Sequence, residues 1–533
     1  MSYVTQSLHR LVQRAPTAAG SIDGYRRRSW REVRDDVARF AGALRASGVQ
    51  EGDRVALLAR NGDHYLDYLL GTFWNGAVIN PVNTRWAAPE IAQSLEDCGT
   101  RILLVDGCFS SLVDAIRRAA PCLRCIVQIG GDDRDDGVAD YAAWLARSDR
   151  TADLRRGGDA LAAILYTGGT TGRSKGVMLS HANLLASAAG YLSFPGARPG
   201  ARYLHVAPLF HIGAQSAIYA GLLSGTTHVF LPQFEPAAAL ATIERERVTD
   251  IFLVPTMLAA MMQEPGFGSA RAGSLERIVY GASPIDAALL DRAMATLPSA
   301  GFVQAYGMTE LSPIAAMLGP EDHGAEARAS GRQGTAGRPT IAAEVKVVDE
   351  QECEVDRGTI GEIVVRGGGV MLGYWGLPVE TATALRGGWM HTGDLGRMND
   401  DGYLTVVDRL KDMIITGGEN VYSAEVENAL AAHPAVYQAA VIGVADVKWG
   451  EAVHGVVVLR PDASCDGDEL RRHCRGLIAR YKVPKSIEFV AALPLSPTGK
   501  VLKTTLRTEV AARQAAGTGR DDRQDVKNRE AAA

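Results

Sequence analysis

The stretch Leu161-Ala-Ala-Ile-Leu-Tyr166-Thr-Gly-Gly-Thr-Thr-Gly-Arg-Ser-Lys175-Gly176 decides how this chain is read. Its first five residues are an unbroken apolar run, the pattern of a strand covered on both faces. The eleven residues from Tyr166 to Gly176 hold four glycines, three threonines and one lysine. Glycines let backbone N–H groups approach phosphate oxygens, hydroxyls donate further bonds, and the lysine adds charge. Flexibility alone would require neither the threonines nor the lysine. The loop is not a Walker A loop, because Arg173 and Ser174 separate Gly172 from Lys175. A helix is expected to begin near Ser180.

Outward from this loop, similar apolar runs recur at 54–59, 101–106, 250–255, 277–281 and 302–306, with helical patterns between them. Over 30–47 the residues Val33, Val37, Phe40, Ala41 and Leu44 fall at helical spacing, Ser29 and Glu32 form a capping box, and Gly48 supplies the stop. Residues 342–365 read as short strands and turns. From about residue 412 the rhythm resumes on a smaller scale: helix 423–433, strands 438–444 and 453–459, helix 467–480. Polar loops are expected at 131–137, 148–159 and 321–334. The fold class is therefore α/β, with a large N-terminal domain of layered α/β sheets, a β-rich subdomain and a small α+β C-terminal domain. The expected boundaries are 1–408 and 412–514, with a tail from 515 to 533 that lacks periodicity and is read as disordered.

Composition narrows the function. Among 533 residues, 47% are hydrophobic and 22% charged, as in ordinary globular proteins. The net charge of −5 argues against a nucleic-acid binder. No apolar run reaches the ~18 residues of a membrane span; the longest, 252–262, contains Pro255. There is no secretory signal pattern at the start. Seven scattered cysteines suit reduced thiols and a cytoplasmic location. Cys122 and Cys125 form one C-x-x-C without a second pair or a nearby histidine, and read as ordinary thiols rather than a zinc site. The 58 glycines, well above the usual ~7%, suggest tight turns and close backbone approaches to a ligand.

The loop at 166–176 resembles the signature of the adenylate-forming acyl-CoA synthetases, relatives of luciferases and of nonribosomal adenylation domains. It departs from that pattern at Gly169, where the family often has Ser, and at Ser174, where it often has Pro. Further stretches resemble the family's motifs in the family's order: Pro208-Leu-Phe-His211-Ile-Gly213, Tyr280-Gly-Ala-Ser-Pro284, Gln304-Ala-Tyr-Gly-Met-Thr-Glu310, Trp389-Met-His-Thr-Gly-Asp394, Asp408-Arg409-Leu-Lys411-Asp-Met-Ile and Pro494-Leu-Ser-Pro-Thr-Gly-Lys500. The resemblance covers nearly the whole chain.

It implies the following roles. Thr167, Gly168, Gly169, Thr170, Thr171, Gly172 and Lys175 hold the ATP phosphates. Gly281, Ala282, Ser283, Gln304, Ala305, Tyr306 and Gly307 receive the adenine, with the Tyr306 ring stacking on it; a core tyrosine is the less favoured reading of Tyr306. Thr309 acts at the α-phosphate, and Glu310 with Thr170 takes Mg²⁺. Asp394 and Arg409 bind the ribose. His211, which by spacing alone reads as a core histidine, stands beside the substrate carboxylate. Gly213, Ala214, Met308 and Ile314 line the acyl pocket. Trp449, Gly450 and Glu451 contribute to a CoA face. Lys411, within 409–411, is the hinge, and Lys500 is the mobile catalytic lysine.

The implied reaction activates a hydrophobic acid, a medium- or long-chain fatty acid or an aryl acid, to acyl-AMP and then to acyl-CoA. ATP, Mg²⁺ and coenzyme A are the implied cofactor and co-substrates, and a homodimer is left open. Two alternatives stay open: delivery of the acyl group to a carrier protein, and a non-catalytic nucleotide-binding relative. An amino-acid adenylation domain is disfavoured because Phe210-His-Ile-Gly-Ala214 lacks an acidic residue for the substrate ammonium. No G-x-S-x-G elbow is present, consistent with chemistry that needs no protein nucleophile.

Overall fold

A computed structural model describes residues 2–131, 134–167, 174–193, 198–283, 285–446, 448–461, 463–495 and 501–515. The chain forms two compact units. The first comprises 1–346, 364–392 and 399–405, and the second 347–363, 393–398 and 406–533.

The first unit is built on two large sheets. One has nine strands in the order Arg338–Pro339, Ile314–Leu318, Gly301–Gly307, Arg277–Gly281, Asp250–Leu253, Arg202–His205, Thr227–Phe230, Ala19–Asp23 and Arg26–Ser29. Its middle pairs are parallel and its edges antiparallel. Every residue of Arg277–Gly281 is buried, as its apolar run requires. The other has eight strands in the order Gly373–Tyr374, Lys175–Ser180, Leu161–Thr167, Val78–Pro81, Arg54–Leu58, Ile102–Asp106, Cys125–Ile129 and Ala139–Asp140. The helix Trp30–Ala46 carries the expected Ser29–Glu32 capping box and buries Val33, Val37, Phe40, Ala41 and Leu44.

The helix expected near Ser180 is present, one strand is unforeseen, and two local readings change. The strand Lys175–Ser180 intervenes, antiparallel to Leu161–Thr167, and the helix His181–Leu192 begins only after it, capped by Ser180 and Asn183. Pro255 does not end a strand but opens the helix Pro255–Gln263, where its missing N–H costs nothing. The polar segment 321–334 contains the short helix Ala325–Ala329.

A four-stranded sheet, Ala343–Val348, Gly361–Gly367, Met390–Met398 and Leu404–Arg409, matches the β-rich stretch expected from residue 342. The second unit holds the sheet Glu419–Val421, Ile414–Thr416, Gly450–Leu459 and Val436–Asp446, with Ser486–Phe489 parallel to Gly450–Leu459. Alternate residues of Val436–Asp446 serve two cores. Val441 packs with Val426, Leu430 and Leu470 of the helices Ser423–Ala431 and Gly467–Arg475. Ala440 and Ile442 pack with Leu506 and Val510 of the helix Lys503–Ala515. The tail beyond 515 lies outside the described residues.

Candidate active site

The mouth of the glycine-rich loop is fixed by a β-ladder. Thr167 and Lys175 are register partners at the ends of their strands. Gly168, Gly169, Thr170, Thr171 and Gly172 lie outside the described residues. Just below the mouth, the Tyr166 hydroxyl donates to the Asp97 carboxylate at 2.7 Å. The Trp375 indole N–H donates to the Asp97 carbonyl at 3.0 Å. Gly176 must be glycine-sized, because a Cβ there would press on Ile164, Tyr166 and Trp375.

The adjacent parallel strands Arg277–Gly281 and Gly301–Gly307 deliver the expected adenine residues together. Gly281 pairs with Ala305, so Ala282 and Ser283 leave one strand where Tyr306 and Gly307 continue the other. A Cβ on Gly281 would strike the Ala305 carbonyl, and one on Gly307 the Pro313 carbonyl. Ala282 takes a left-handed conformation, φ +68°, at this strand end. Tyr306 and Gln304 are half-buried and Gly307 is exposed.

Thr309 and Glu310 occupy one 3₁₀ turn, Thr309–Leu311, with Glu310 7% exposed. The Tyr374 hydroxyl donates to Glu310 Oε1 at 2.9 Å. Burial, and next the Glu310 charge, push the Tyr374 pKa far above its ordinary value, so this donor stays neutral. The bond therefore orients the carboxylate without neutralising it. Lys175 Nζ lies 4.9 Å from the centroid of the same Tyr374 ring. Tyr374 thus joins the loop lysine to the Glu310 carboxylate. The sequence reading did not single it out; its signal is the aromatic pair Tyr374-Trp375 after the glycines at 367–369.

His211 is the N-cap of the helix Ile212–Ser224, with its ring centroid 4.2 Å from that of Phe210. Nothing lies within 4 Å of where a Gly213 Cβ would stand. Ala214 instead packs with Tyr203, Val206, Ala207 and Phe252, with no room for a water among them. Free space at this motif is on the Gly213 side. Ile314 is buried and Met308 half-buried.

The remaining expected residues belong to the second unit. Arg409 Nε pairs with Asp394 Oδ1 at 3.4 Å, and the Leu410 N–H donates to the Gly393 carbonyl at 2.8 Å. Lys411 lies inside this unit, and the last chain crossing between units falls after Thr405. Burial, then the Arg409 charge, lower the Lys411 pKa. A buried polar chain that the sequence reading missed stands beside it. Asp408 accepts from the Ser423 hydroxyl at 2.9 Å, and Lys503 Nζ donates to Ser423 Oγ at 2.6 Å and pairs with Glu427 at 2.7 Å. Lys500 lies outside the described residues.

Trp449 is 40% exposed. Its ring is flanked by Lys448 Nζ at 4.7 Å and Lys485 Nζ at 4.2 Å. Gly450 has φ +78°, and Glu451 accepts from the Ile415 N–H at 2.9 Å. An exposed indole with two ammonium groups near its ring suits a phosphate-bearing nucleotide.

All seven cysteines are among the described residues and are free thiols. Burial lifts Cys122 to about 12 and also raises Cys125, so neither is a ready thiolate. His433, Cys465 and Glu469 bring ligand atoms within 4.8 Å of one another. There, His433 Nδ1 accepts the Ala435 N–H at 3.3 Å, which leaves the ring proton on Nε2, and burial raises Cys465 to about 12.

The AMP-binding enzyme family matches residues 8–375, and its C-terminal domain matches residues 425–500. A feruloyl-CoA synthase of Amycolatopsis sp is 40% identical over 503 residues, 93% of this chain and 97% of its own length. A long-chain-fatty-acid–CoA ligase, FadD13, of Mycobacterium tuberculosis is 36% identical over 475 residues, 89% of this chain and 91% of its own. Among solved structures, o-succinylbenzoate CoA synthetase (MenE) from Bacillus subtilis, in complex with the acyl-adenylate intermediate OSB-AMP, superposes with a TM-score of 0.82 at 30% identity. That match covers 94% of this chain and 97% of the other.

Proposed function

From the premise that the chain belongs to the AMP-binding enzyme family and is an acid–thiol ligase, we propose that it activates an uncharged hydrophobic acid, aryl or fatty, as acyl-AMP and passes the acyl group to CoA. The observation that carries the choice of acid is the acyl motif itself. His211, Gly213, Met308 and Ile314 are small or apolar apart from the histidine, and open space stands beside Gly213. A second substrate carboxylate there would lose its hydration without gaining a cation. The names of the feruloyl-CoA and long-chain-fatty-acid ligases support the same class.

In the first step the acid's carboxylate oxygen bonds to the α-phosphorus of ATP, and pyrophosphate leaves. Two anions meet, so charge must be neutralised. Lys175 and the threonines of the loop have the role of neutralising the phosphates, Thr309 the α-phosphate and Lys500 the forming bond. The adenine lies between Gly281–Ser283 and Tyr306, and Asp394 accepts from the ribose hydroxyls. Mg²⁺ fits the hard oxygen donors Glu310 and Thr170, and when bound would supply further neutralisation at the phosphates. In the second step the CoA sulfur bonds to the acyl carbon and AMP leaves. His211 steers the carboxylate and then borders the thiol's approach. The small domain turns about Lys411 between the steps, removing Lys500 and bringing the Trp449 face to CoA.

Three measurements check these roles. Against a panel of acids in a CoA-dependent AMP-release assay, a hydrophobic acid should give the highest kcat/KM. If malonate or acetate exceeds every hydrophobic acid tested, the reading of the pocket fails. Tyr374→Phe removes one hydrogen bond to a charged group, of about 1.5 kcal/mol, and should raise the Mg²⁺ concentration for half-maximal pyrophosphate release ~10-fold. An unchanged Mg²⁺ titration would show that Tyr374 does not orient Glu310. The double variant Lys448→Ala/Lys485→Ala should raise KM for CoA ~5–30-fold, at ~0.5–1 kcal/mol for each exposed cation, and leave acid-dependent ATP–pyrophosphate exchange intact. Equal loss of exchange would remove these lysines from the CoA face.

A further inference from the structure

Two buried amides hold the backbone of the acyl motif. Asn61, 5% exposed, follows the strand Arg54–Leu58 of the eight-stranded sheet. Its Nδ2 donates to the carbonyls of His205 at 3.3 Å and Ala207 at 2.9 Å. Its Oδ1 accepts the Leu209 N–H at 2.9 Å. These three partners fix the amide's orientation, because the flipped form would set its oxygen against two carbonyls. Gln215, fully buried in the helix Ile212–Ser224, donates from Nε2 to the Leu209 carbonyl at 2.8 Å and accepts from the Tyr219 hydroxyl at 2.9 Å. Both backbone polar groups of Leu209, two residues before His211, are therefore taken by side-chain amides.

Asn61 itself is held firmly. Its N–H donates to the Pro232 carbonyl at 3.1 Å. Two residues on, the Asp63 N–H donates to Asp23 at 3.0 Å, and Arg28 donates to the Asp63 carbonyl at 2.9 Å and to Asp67 at 2.7 Å. The loop following Arg54–Leu58 thus bridges to the loop following Arg202–His205, at the carboxyl ends of parallel strands from both sheets. That is where open α/β sheets bind their ligands.

We propose that Asn61 and Gln215 are positioning residues that set the register of 205–211, and through it the shape of the acid site at His211 and Gly213. This rests on the reading that the acyl motif faces the acid. Three backbone groups of 206–210, the Ala207 carbonyl and both polar groups of Leu209, bond to these amides, so losing one frees the segment to shift, and a shift of about 1 Å at a binding site changes rates ~100-fold. The effect falls on the acid and not on ATP, whose residues lie on other strands.

The test compares Asn61→Ala and Gln215→Leu with the wild type, each assayed with one bulky aryl acid and one straight-chain acid. The ratio of the two kcat/KM values does not depend on how much of a preparation is folded, so a merely structural role would not move it. Each variant should shift that ratio ~10-fold or more, with KM for ATP within ~2-fold. Ratios unchanged from wild type, or KM values for acid and ATP rising together, overturn the proposal. If neither variant yields active protein, Tyr219→Phe takes their place, since it removes the Gln215 partner at little change of volume. A ~3-fold ratio shift then supports the clamp and an unchanged ratio overturns it. A wild type that activates no acid defeats the functional reading and the clamp together, whereas an active wild type with unmoved ratios in the variants defeats the clamp alone.

Discussion

Lys500→Ala should slow the reaction from acid and ATP by 10²–10³, on the order of 3–4 kcal/mol for one charged donor lost from a preorganised site. The loss should be confined to the first step. Supplied with synthetic acyl-AMP and CoA, the variant should form thioester at nearly the wild-type rate, because the proposed turn of the small domain has by then carried Lys500 away. A variant as defective from acyl-AMP as from acid and ATP would contradict the alternating role. A variant fully active in both would make Lys500 an ordinary solvated lysine.

Lys411→Pro should separate the two half-reactions in a different way. Proline fixes φ at Lys411 and pushes Leu410 out of the helical region. In this structure the neighbouring backbone is bonded on both sides, by Leu410 N–H to Gly393 and by Met413 N–H to Arg409. The substitution is therefore expected to trap one orientation, so that one half-reaction falls ~100-fold or more and the other a few-fold. Acid-dependent ATP–pyrophosphate exchange and thioester formation from acyl-AMP read the two independently. Equal loss of both in a folded protein would place the hinge elsewhere; the change of compact unit between Thr405 and Val406 is the nearest other position.

Much of the fold could be read from the chain because its signals are local. Unbroken apolar runs such as 277–281 become strands buried on both faces, and the Ser29–Glu32 box starts a helix where its geometry demands one. At Gly281 and Gly307, which the resemblance marks for adenine, the backbone approaches are too close for any Cβ. The strand Lys175–Ser180 was hidden because it opens on a lysine and a glycine and ends on a capping serine, which leaves an apolar run of only three residues, 177–179. Pro255 was ambiguous because proline ends strands and begins helices equally well.

What stayed invisible depends on contacts between distant parts of the chain. Tyr374 meets Glu310 across 64 residues, Lys503 meets Ser423 across 80, and Asn61 meets Leu209 across 148. A buried asparagine or glutamine looks in sequence like a surface one, and only the packed structure shows that all its polar atoms are committed. The same holds for Lys448 and Lys485, which read as solvated charges until both are found against the Trp449 ring.

Isotope transfer from the acid tests the chemistry most directly. The purified protein is given a hydrophobic acid labelled with ¹⁸O in its carboxylate, together with ATP, Mg²⁺ and CoA, and the nucleotide product is analysed by mass. If the carboxylate oxygen attacks the α-phosphorus and CoA then breaks the acyl–oxygen bond, each acyl-CoA formed leaves one ¹⁸O in AMP and none in pyrophosphate. Formation of ADP and phosphate, or of AMP without label, would contradict activation through an acyl-adenylate.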